Sequence, residues 1–167
     1  MILRAVFWVP VRVRALRWKL RIAPWLILAG VCAQLRAQLP PFRIFSTQDG
    51  LVRNWVTKIL RDSNGYLWFC TVEGISLFDG YRFSNFSTRD GLPSRLVADM
   101  IETRQGEYWF ATESGLARFH KDRGKDSAFD VIRLGETKES NDVHALYQAR
   151  DGTIWCGTAS GLYKLPV

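Results

Sequence analysis

The chain has 167 residues, of which 47% are hydrophobic and 23% charged, which suits one folded domain or two small ones and excludes disordered and fibrous proteins. A formal net charge of +7 would suggest a nucleic-acid partner if it were spread over the chain. Residues 1–37, however, hold seven of the 23 basic residues and none of the 16 acidic ones, so residues 38–167 carry no net charge. The charge therefore does not indicate nucleic-acid binding.

The first 37 residues have the pattern of an export signal. Basic residues recur up to Arg21, and residues 25–33 are then uncharged. Nine residues are about half of the ~20 that cross a bilayer, but they fit the apolar core of a signal peptide. Val31-Cys32-Ala33 is one candidate cleavage motif, and Leu35-Arg36-Ala37 is a weaker second one. We expect a signal peptide over 1–37 and export to the periplasm of a mature chain over 38–167.

An internal repeat is the main signal in the rest of the chain. Its glycines, tryptophan and threonine recur 41 residues later and again after a further 46: Gly65, Trp68, Thr71, Gly74; Gly106, Trp109, Thr112, Gly115; Gly152, Trp155, Thr158, Gly161. Val56, Val97 and Val143 keep the same offsets upstream. We place the three units near 42–88, 89–132 and 133–167, with the extra residues of the longer offset inside 121–127.

Each unit has the pattern of four short strands separated by turns. In the first unit we predict strands over 56–62, 66–71, 75–79 and 81–88, with a tight hairpin at Ser63-Asn64-Gly65. No helical period is evident over 38–167. A period of 40–45 residues with four strands predicts an all-β protein of β-propeller blades. Three blades are fewer than the four to eight of a closed propeller, so the ring is predicted to be incomplete.

The two ends of the repeat region predict which strands begin and end the series of blades. Residues 42–47 repeat the pattern of residues 83–88, which predicts an outermost strand ahead of the first complete blade. The third unit stops after its third strand. It also has Glu136-Thr137-Lys138 where the other two have Asp-Gly-Leu.

This pattern resembles the two-component-regulator propeller repeat. It runs here from Asp49-Gly50-Leu51 through Val56 and the Gly-x-Leu-Trp-Phe-x-Thr stretch to Gly80. The resemblance implies a periplasmic sensor of a hybrid histidine kinase, in which two seven-bladed propellers often precede a β-sandwich, a membrane helix and kinase modules. Such sensors often detect glycans. On this resemblance we expect the chain to be the N-terminal portion of such a sensor, as a truncated product or a remnant.

Motifs for catalysis, metal binding or phosphate binding are missing from the sequence. The two histidines, His120 and His144, do not share a repeat position. Cys70 and Cys156 are interpreted as small buried hydrophobic residues rather than a disulfide. We therefore expect no enzyme activity, no metal and no cofactor.

The candidate ligand-binding residues lie at one repeated loop position. Trp68, Trp109 and Trp155 sit among apolar neighbours and are predicted to pack between blades. Asn54, Arg95 and Asn141 precede the innermost strand of each unit, and Trp55 follows Asn54. Varied polar and aromatic side chains at one repeated loop indicate a recognition face, although solvated loop residues would give the same pattern.

The sequence leaves three hypotheses for function. The first is an exported, non-enzymatic sensor module that recognises a glycan or small molecule, and whose partners are the remaining blades of a longer chain or a second copy. The second is a structural remnant without activity of its own. The third is a propeller enzyme acting on glycans, which would need a cluster of carboxylates facing one cleft.

Overall fold

The computed structural model describes residues 41–123 and 128–165. The predicted export leader over 1–37 lies outside the described residues, as do residues 124–127 of the predicted insertion. The blades described below all belong to one compact unit that begins at Ile44.

The described residues form three antiparallel sheets, in each of which the strands follow one another in chain order. Blade 1 contains β1 Val56–Arg61, β2 Leu67–Thr71, β3 Gly74–Phe78 and β4 Phe83–Phe86. Blade 2 contains β5 Val97–Glu102, β6 Tyr108–Thr112, β7 Gly115–Phe119 and β8 Phe129–Ile132. Blade 3 contains β9 Val143–Gln148, β10 Ile154–Thr158 and β11 Gly161–Leu165. The all-β prediction of propeller blades in an open arrangement is confirmed, and the third sheet has three strands.

Helical structure in the described residues is limited to single turns. Two 3-10 turns, Thr47–Asp49 and Thr88–Asp90, precede blades 1 and 2. Each has a capping box, in which Ser46 or Ser87 exchanges hydrogen bonds with the acid three residues later. In the third unit a short helix α1, Lys138–Asn141, takes this place and is capped by Thr137. Within the described part of the chain, the helices are too short to cross a membrane.

The predicted outer strand at residues 42–47 is wrong in its secondary structure. Ile44–Ser46 belong to no sheet, because no described strand lies beside them to complete a ladder. The side chain of Phe45 nevertheless packs as a blade residue would. Its ring lies 5.5 Å from that of Phe78 and 6.0 Å from that of Phe83.

Apolar side chains between neighbouring blades form two cores. Trp68 and Ile75 of blade 1 pack with Phe110 of blade 2 in the first core. Trp109 of blade 2 packs with Ile154 of blade 3 in the second. Trp68 and Trp109 are 2% and 4% exposed, which confirms the prediction that they pack between blades. Their counterpart Trp155 is only half-buried, because no described blade covers its face.

Polar contacts join the inner strands side by side. The Thr57 hydroxyl donates to the Val97 carbonyl at 2.6 Å, and the Lys58 ammonium lies 2.8 Å from the Asp99 carboxylate. The other oxygen of Asp99 accepts from the backbone N–H of Leu146 at 2.9 Å. These contacts bring β1, β5 and β9 together in sequence order.

Both cysteines of the described residues are buried and free, as predicted. Burial raises the pKa of Cys156 to about 11, and it raises that of Cys70 further. Both thiols therefore remain protonated at neutral pH and act as small apolar groups.

Candidate functional site

The predicted site residues lie at the same end of neighbouring inner strands. Asn54, Arg95 and Asn141 each stand two residues before the inner strand of their blade, β1, β5 or β9. We call the surface formed by Asn54, Trp55, Arg95 and Asn141 the entry face. The structure places the four predicted residues at one end of the sheets, on three consecutive blades.

The two asparagines of the entry face hold the loops in shape. Asn54 accepts from the backbone N–H of Thr47 at 2.9 Å, and Asn141 accepts from that of Leu134 at 2.9 Å. The amide of Asn141, which is buried, also donates to the carbonyls of Gly135 and Thr137. These amides replace backbone pairing where the chain leaves one blade and enters the next.

Three members of the entry face, Asn54, Trp55 and Arg95, are exposed, and Trp55 and Arg95 have the largest of these side chains. Trp55 is 71% exposed, and Arg95 is also exposed. An exposed indole offers a flat apolar surface, and an exposed guanidinium offers a fork of donors for a carboxylate or phosphate. Arg53, two residues before Trp55, is also exposed, and its guanidinium lies 3.7 Å from the carboxylate of Glu73 on the β2–β3 turn.

A shallow cleft of about 160 Å³ opens at the same end, between the β6–β7 turn and the loop that carries α1. Asn141 is the predicted site residue that lines it. Arg133 and Lys138 also line it, together with Glu113 and Glu136. Sequence reasoning missed these charges, because α1 replaces the Asp-Gly-Leu turn of the other two units and has no counterpart in them.

A larger cleft of about 660 Å³ lies at the opposite end, between the turns of blades 1 and 2. Three basic side chains that line it, those of Arg118, His120 and Arg123, contact the carboxylate of Asp130. Asp130 accepts hydrogen bonds from Arg123 at 2.6 Å and Arg118 at 3.2 Å, and its other contact is to His120 Nε2 at 2.7 Å. These three partners, Arg123 first, hold the pKa of Asp130 well below its usual range. Glu102 accepts from the backbone N–H and the hydroxyl of Ser63.

Beneath this cleft, the buried carboxylate of Asp62 links blades 1 and 2. It accepts from the indole N–H of Trp68 at 3.0 Å and from the Tyr108 hydroxyl at 3.1 Å. Its second oxygen accepts from the backbone N–H groups of Asn64 and Tyr66. Burial, with Asp62 beside the hydroxyl, raises the pKa of Tyr108 to about 12. With four donors, Asp62 is a structural anchor between blades.

Within residues 41–123 and 128–165, no group of three or more His, Cys, Asp or Glu side chains could hold a metal ion.

Comparison with known proteins identifies the repeat. The profile of the two-component regulator propeller family matches residues 50–73 and 137–160, which include the loops and inner strands of blades 1 and 3. Among curated proteins, the comparison found no match to this sequence.

Solved structures share the fold. The extracellular domain assigned to the hybrid two component system BT3049 of B. thetaiotaomicron matches with a TM-score of 0.59 at 23% identity, over 77% of this chain. That assigned to the one component system BT4673 of the same organism matches with 0.54 at 23% identity, over 72%. The inactive H270A virginiamycin B lyase of Staphylococcus aureus with quinupristin matches with 0.50 at 13% identity, over 80% of this chain and 47% of its own length.

These neighbours are much longer than the chain described here. The matched region is 19% of the BT3049 domain and 15% of the BT4673 domain. The chain thus carries two-component regulator propeller repeats in propeller geometry, and it spans about a fifth of the extracellular domains that it resembles.

Proposed function

We propose that this chain, with its two-component regulator propeller repeats, is a ligand-recognition segment of an exported sensor in two-component signalling. The observation that carries the proposal is the construction of the entry face. Hydrogen-bonded amides of Asn54 and Asn141 anchor its loops, while Trp55 and Arg95 extend into solvent from neighbouring blades. A rigid scaffold that presents varied side chains from repeated loops is the usual arrangement of a binding surface.

The exposed side chains favour a glycan ligand that carries an acidic group. The indole of Trp55 can stack on the apolar face of a sugar ring, since an aromatic surface contributes large contact area at low entropy cost. The guanidinium of Arg95 can pair with a carboxylate on the same glycan.

The proposed role is recognition without catalysis. Of the three carboxylates among the described residues that line the larger cleft, Glu102 is bound to Ser63 of the neighbouring blade, and Glu107 to Trp109 and Arg118 of its own blade. A glycosidase needs two carboxylates that face one reacting bond. The lyase among the structural neighbours is 13% identical to this chain. At that identity the likeness concerns the fold alone.

Calorimetric titration of the full chain tests this proposal, with oligogalacturonides as acidic probes and neutral gluco-oligosaccharides of equal length. We expect the acidic glycans to bind more tightly, Trp55→Ala to weaken binding at least about tenfold, and Arg95→Ala to remove the preference for the acidic series. Tyr81→Ala is the matched control, since Tyr81 is 96% exposed on a turn at the opposite end of blade 1.

Two outcomes contradict the proposal. One is the absence of binding by both oligosaccharide series. The other is an unchanged affinity in Trp55→Ala, which would move any binding surface away from the entry face.

A further inference from the structure

The two end blades each expose a face that is buried elsewhere in the repeat. Ile59 of blade 1 is 58% exposed, whereas its repeat counterparts Met100 and Leu146 are 0% and 8% exposed. Leu162 of blade 3 is 67% exposed, whereas its counterparts Ile75 and Leu116 are both fully buried. We call the face of blade 1 that carries Ile59 the head face, and the face of blade 3 that carries Leu162 the tail face.

The head face carries the apolar partners that the tail face requires. In the interface between blades 1 and 2, the Trp68 ring lies 5.1 Å from Tyr108, 5.6 Å from Phe110 and 5.4 Å from Phe119. The residue equivalent to Trp68 on the tail face is Trp155. The residues equivalent to its three partners lie on the head face: Leu67, Phe69 and Phe78. The pairing of the two faces would therefore repeat an interface that the chain already makes.

In the described part of the chain, the sheet of blade 3 also lacks an outer fourth strand, and a segment beside the head face resembles such a strand. In blade 2 the outer strand β8 places the carbonyl of Ile132 against Gly115, 2.7 Å from where a Cβ would stand. The equivalent position beside Gly161 in blade 3 is open among the described residues. Phe45 packs on Phe78 and Phe83 at the head side.

The same packing recurs one blade later. Phe86, an outer-strand residue of blade 1, packs on Phe119 at 5.2 Å and on Phe129 at 5.8 Å. Phe45 thus holds the place of an outer-strand residue ahead of blade 1, although its backbone joins no sheet. The head side therefore carries a segment equivalent to an outer strand, and the sheet of blade 3 has room for one among the described residues.

We propose that two copies of this chain associate head to tail, so that each tail face packs on the head face of the other and the segment around Phe45, the counterpart of the end of β4, completes the third sheet of its partner. Three blades from each copy give six, within the four to eight of closed propellers. Two heterologous contacts that close on each other make a ring rather than a filament. A second copy is the favoured occupant because each face carries the counterpart of the other, and contiguous apolar patches of this kind drive association. This inference is independent of the proposed ligand.

Sedimentation velocity of the full chain over a range of concentrations tests the inference. The wild type is expected to form a species of twice the 19.2 kDa chain mass. Ile59→Glu places a charge on the head face, and Leu162→Glu places one on the tail face. Because burial of an unpaired charge is unfavourable, each variant is expected to self-associate at least about tenfold more weakly. Both residues are exposed in the chain itself, so neither change disturbs its core. Tyr81→Glu, at an exposed turn outside both faces, is the control and keeps the wild-type behaviour.

Mixing the two variants separates head-to-tail pairing from pairing between like faces. A mixed pair retains one intact head–tail contact, so the equimolar mixture is expected to recover a two-chain species that neither variant forms alone. Near-ultraviolet circular dichroism confirms that each variant is folded. A wild type that stays a single chain, a wild type that forms open chains of copies, or a mixture that does not recover pairing would each overturn the proposal.

Discussion

The burial of the repeated tryptophan depends on whether a further blade packs against the blade that carries it. Trp68 and Trp109 are covered by blades 2 and 3, whereas Trp155 lies on the tail face beside Lys164, whose ammonium stands 5.8 Å from the indole ring. The three residues share a sequence context and differ in burial. They therefore provide a matched comparison of what blade packing contributes to stability.

Trp109→Ala should destabilise the chain by about 3–5 kcal/mol, because it empties a large buried volume between blades 2 and 3. Trp155→Ala should cost less than half of that at protein concentrations where the chain is single, since its side chain is only half-buried. Denaturant unfolding followed by circular dichroism measures both. Equal losses in the two variants would contradict the assignment of Trp109 to an inter-blade core.

Asp130 should contribute an acid-sensitive part of the stability. Its folded pKa lies below its ordinary 3.8, because Arg123, His120 and Arg118 donate to the ionised form. The unfolded chain therefore binds the proton more tightly, and the stability from this cluster is present above about pH 4 and lost as the pH falls below it. Asp130→Asn should flatten the fall of the unfolding free energy between pH 4 and pH 2.

The control for this experiment is Glu113→Gln, which removes an exposed carboxylate from the β6–β7 turn at the other end of blade 2. If the acid-side slope of Asp130→Asn matched that of the wild type, the ionisation of Asp130 would make no contribution to the acid sensitivity of folding.

At the scale of the element, the turn between the second and third strands depends on the strand outside it. Gly74, Gly115 and Gly161 all have positive φ, at 126°, 117° and 134°. In blades 1 and 2 an outer-strand carbonyl stands against the glycine, which leaves no room for a side chain. In blade 3 the same turn faces open space, because the sheet has three strands.

Gly115→Ala should therefore cost more than Gly161→Ala in the single chain. Both substitutions introduce backbone strain of about 1–3 kcal/mol, but only Gly115→Ala also displaces β8 through the Ile132 carbonyl. Thermal unfolding at low protein concentration distinguishes them. A larger loss in Gly161→Ala would contradict the three-stranded description of blade 3.

The strands were predictable to within one or two residues, because the turn glycines and the alternation of apolar residues set their ends. The sequence predicts 56–62 and 75–79 where the structure has Val56–Arg61 and Gly74–Phe78. Helix α1 was not predictable, since it appears in one unit and its cap, Thr137, has no counterpart in the others. The outer strand at 42–47 was predicted from its repeat, but a strand also needs a neighbour to pair with.

The candidate site was predictable in position more than in role. Repeat alignment locates Asn54, Arg95 and Asn141 at one end of the sheets, because equivalent residues in a repeat fold occupy equivalent places. It does not show that the two asparagines accept from the backbone N–H groups of Thr47 and Leu134, although both partners stand seven residues before their asparagine, because Arg95 at the equivalent position cannot accept such a bond. The charged cluster around Asp130 comes from the β7–β8 connection, which is longer in blade 2 than in blade 1.

At the scale of the whole molecule, blade 2 is the part of the arrangement that is covered on both faces. Blade 1 packs on one side of it and blade 3 on the other. The end blades keep one exposed apolar face each, and the two faces carry counterpart residues. The stability and the assembly of the chain therefore depend on the same interface, made within the chain twice and between copies in the proposed ring.

Hydrogen exchange followed by mass spectrometry at two protein concentrations tests this account most directly. It predicts that β6 and β7 of blade 2 exchange slowest at both concentrations, because buried and paired backbone opens least often. It also predicts that β11 and the segment around Phe45 both exchange more slowly as the concentration rises. A β11 or a segment around Phe45 whose exchange rate does not change with concentration would contradict the account.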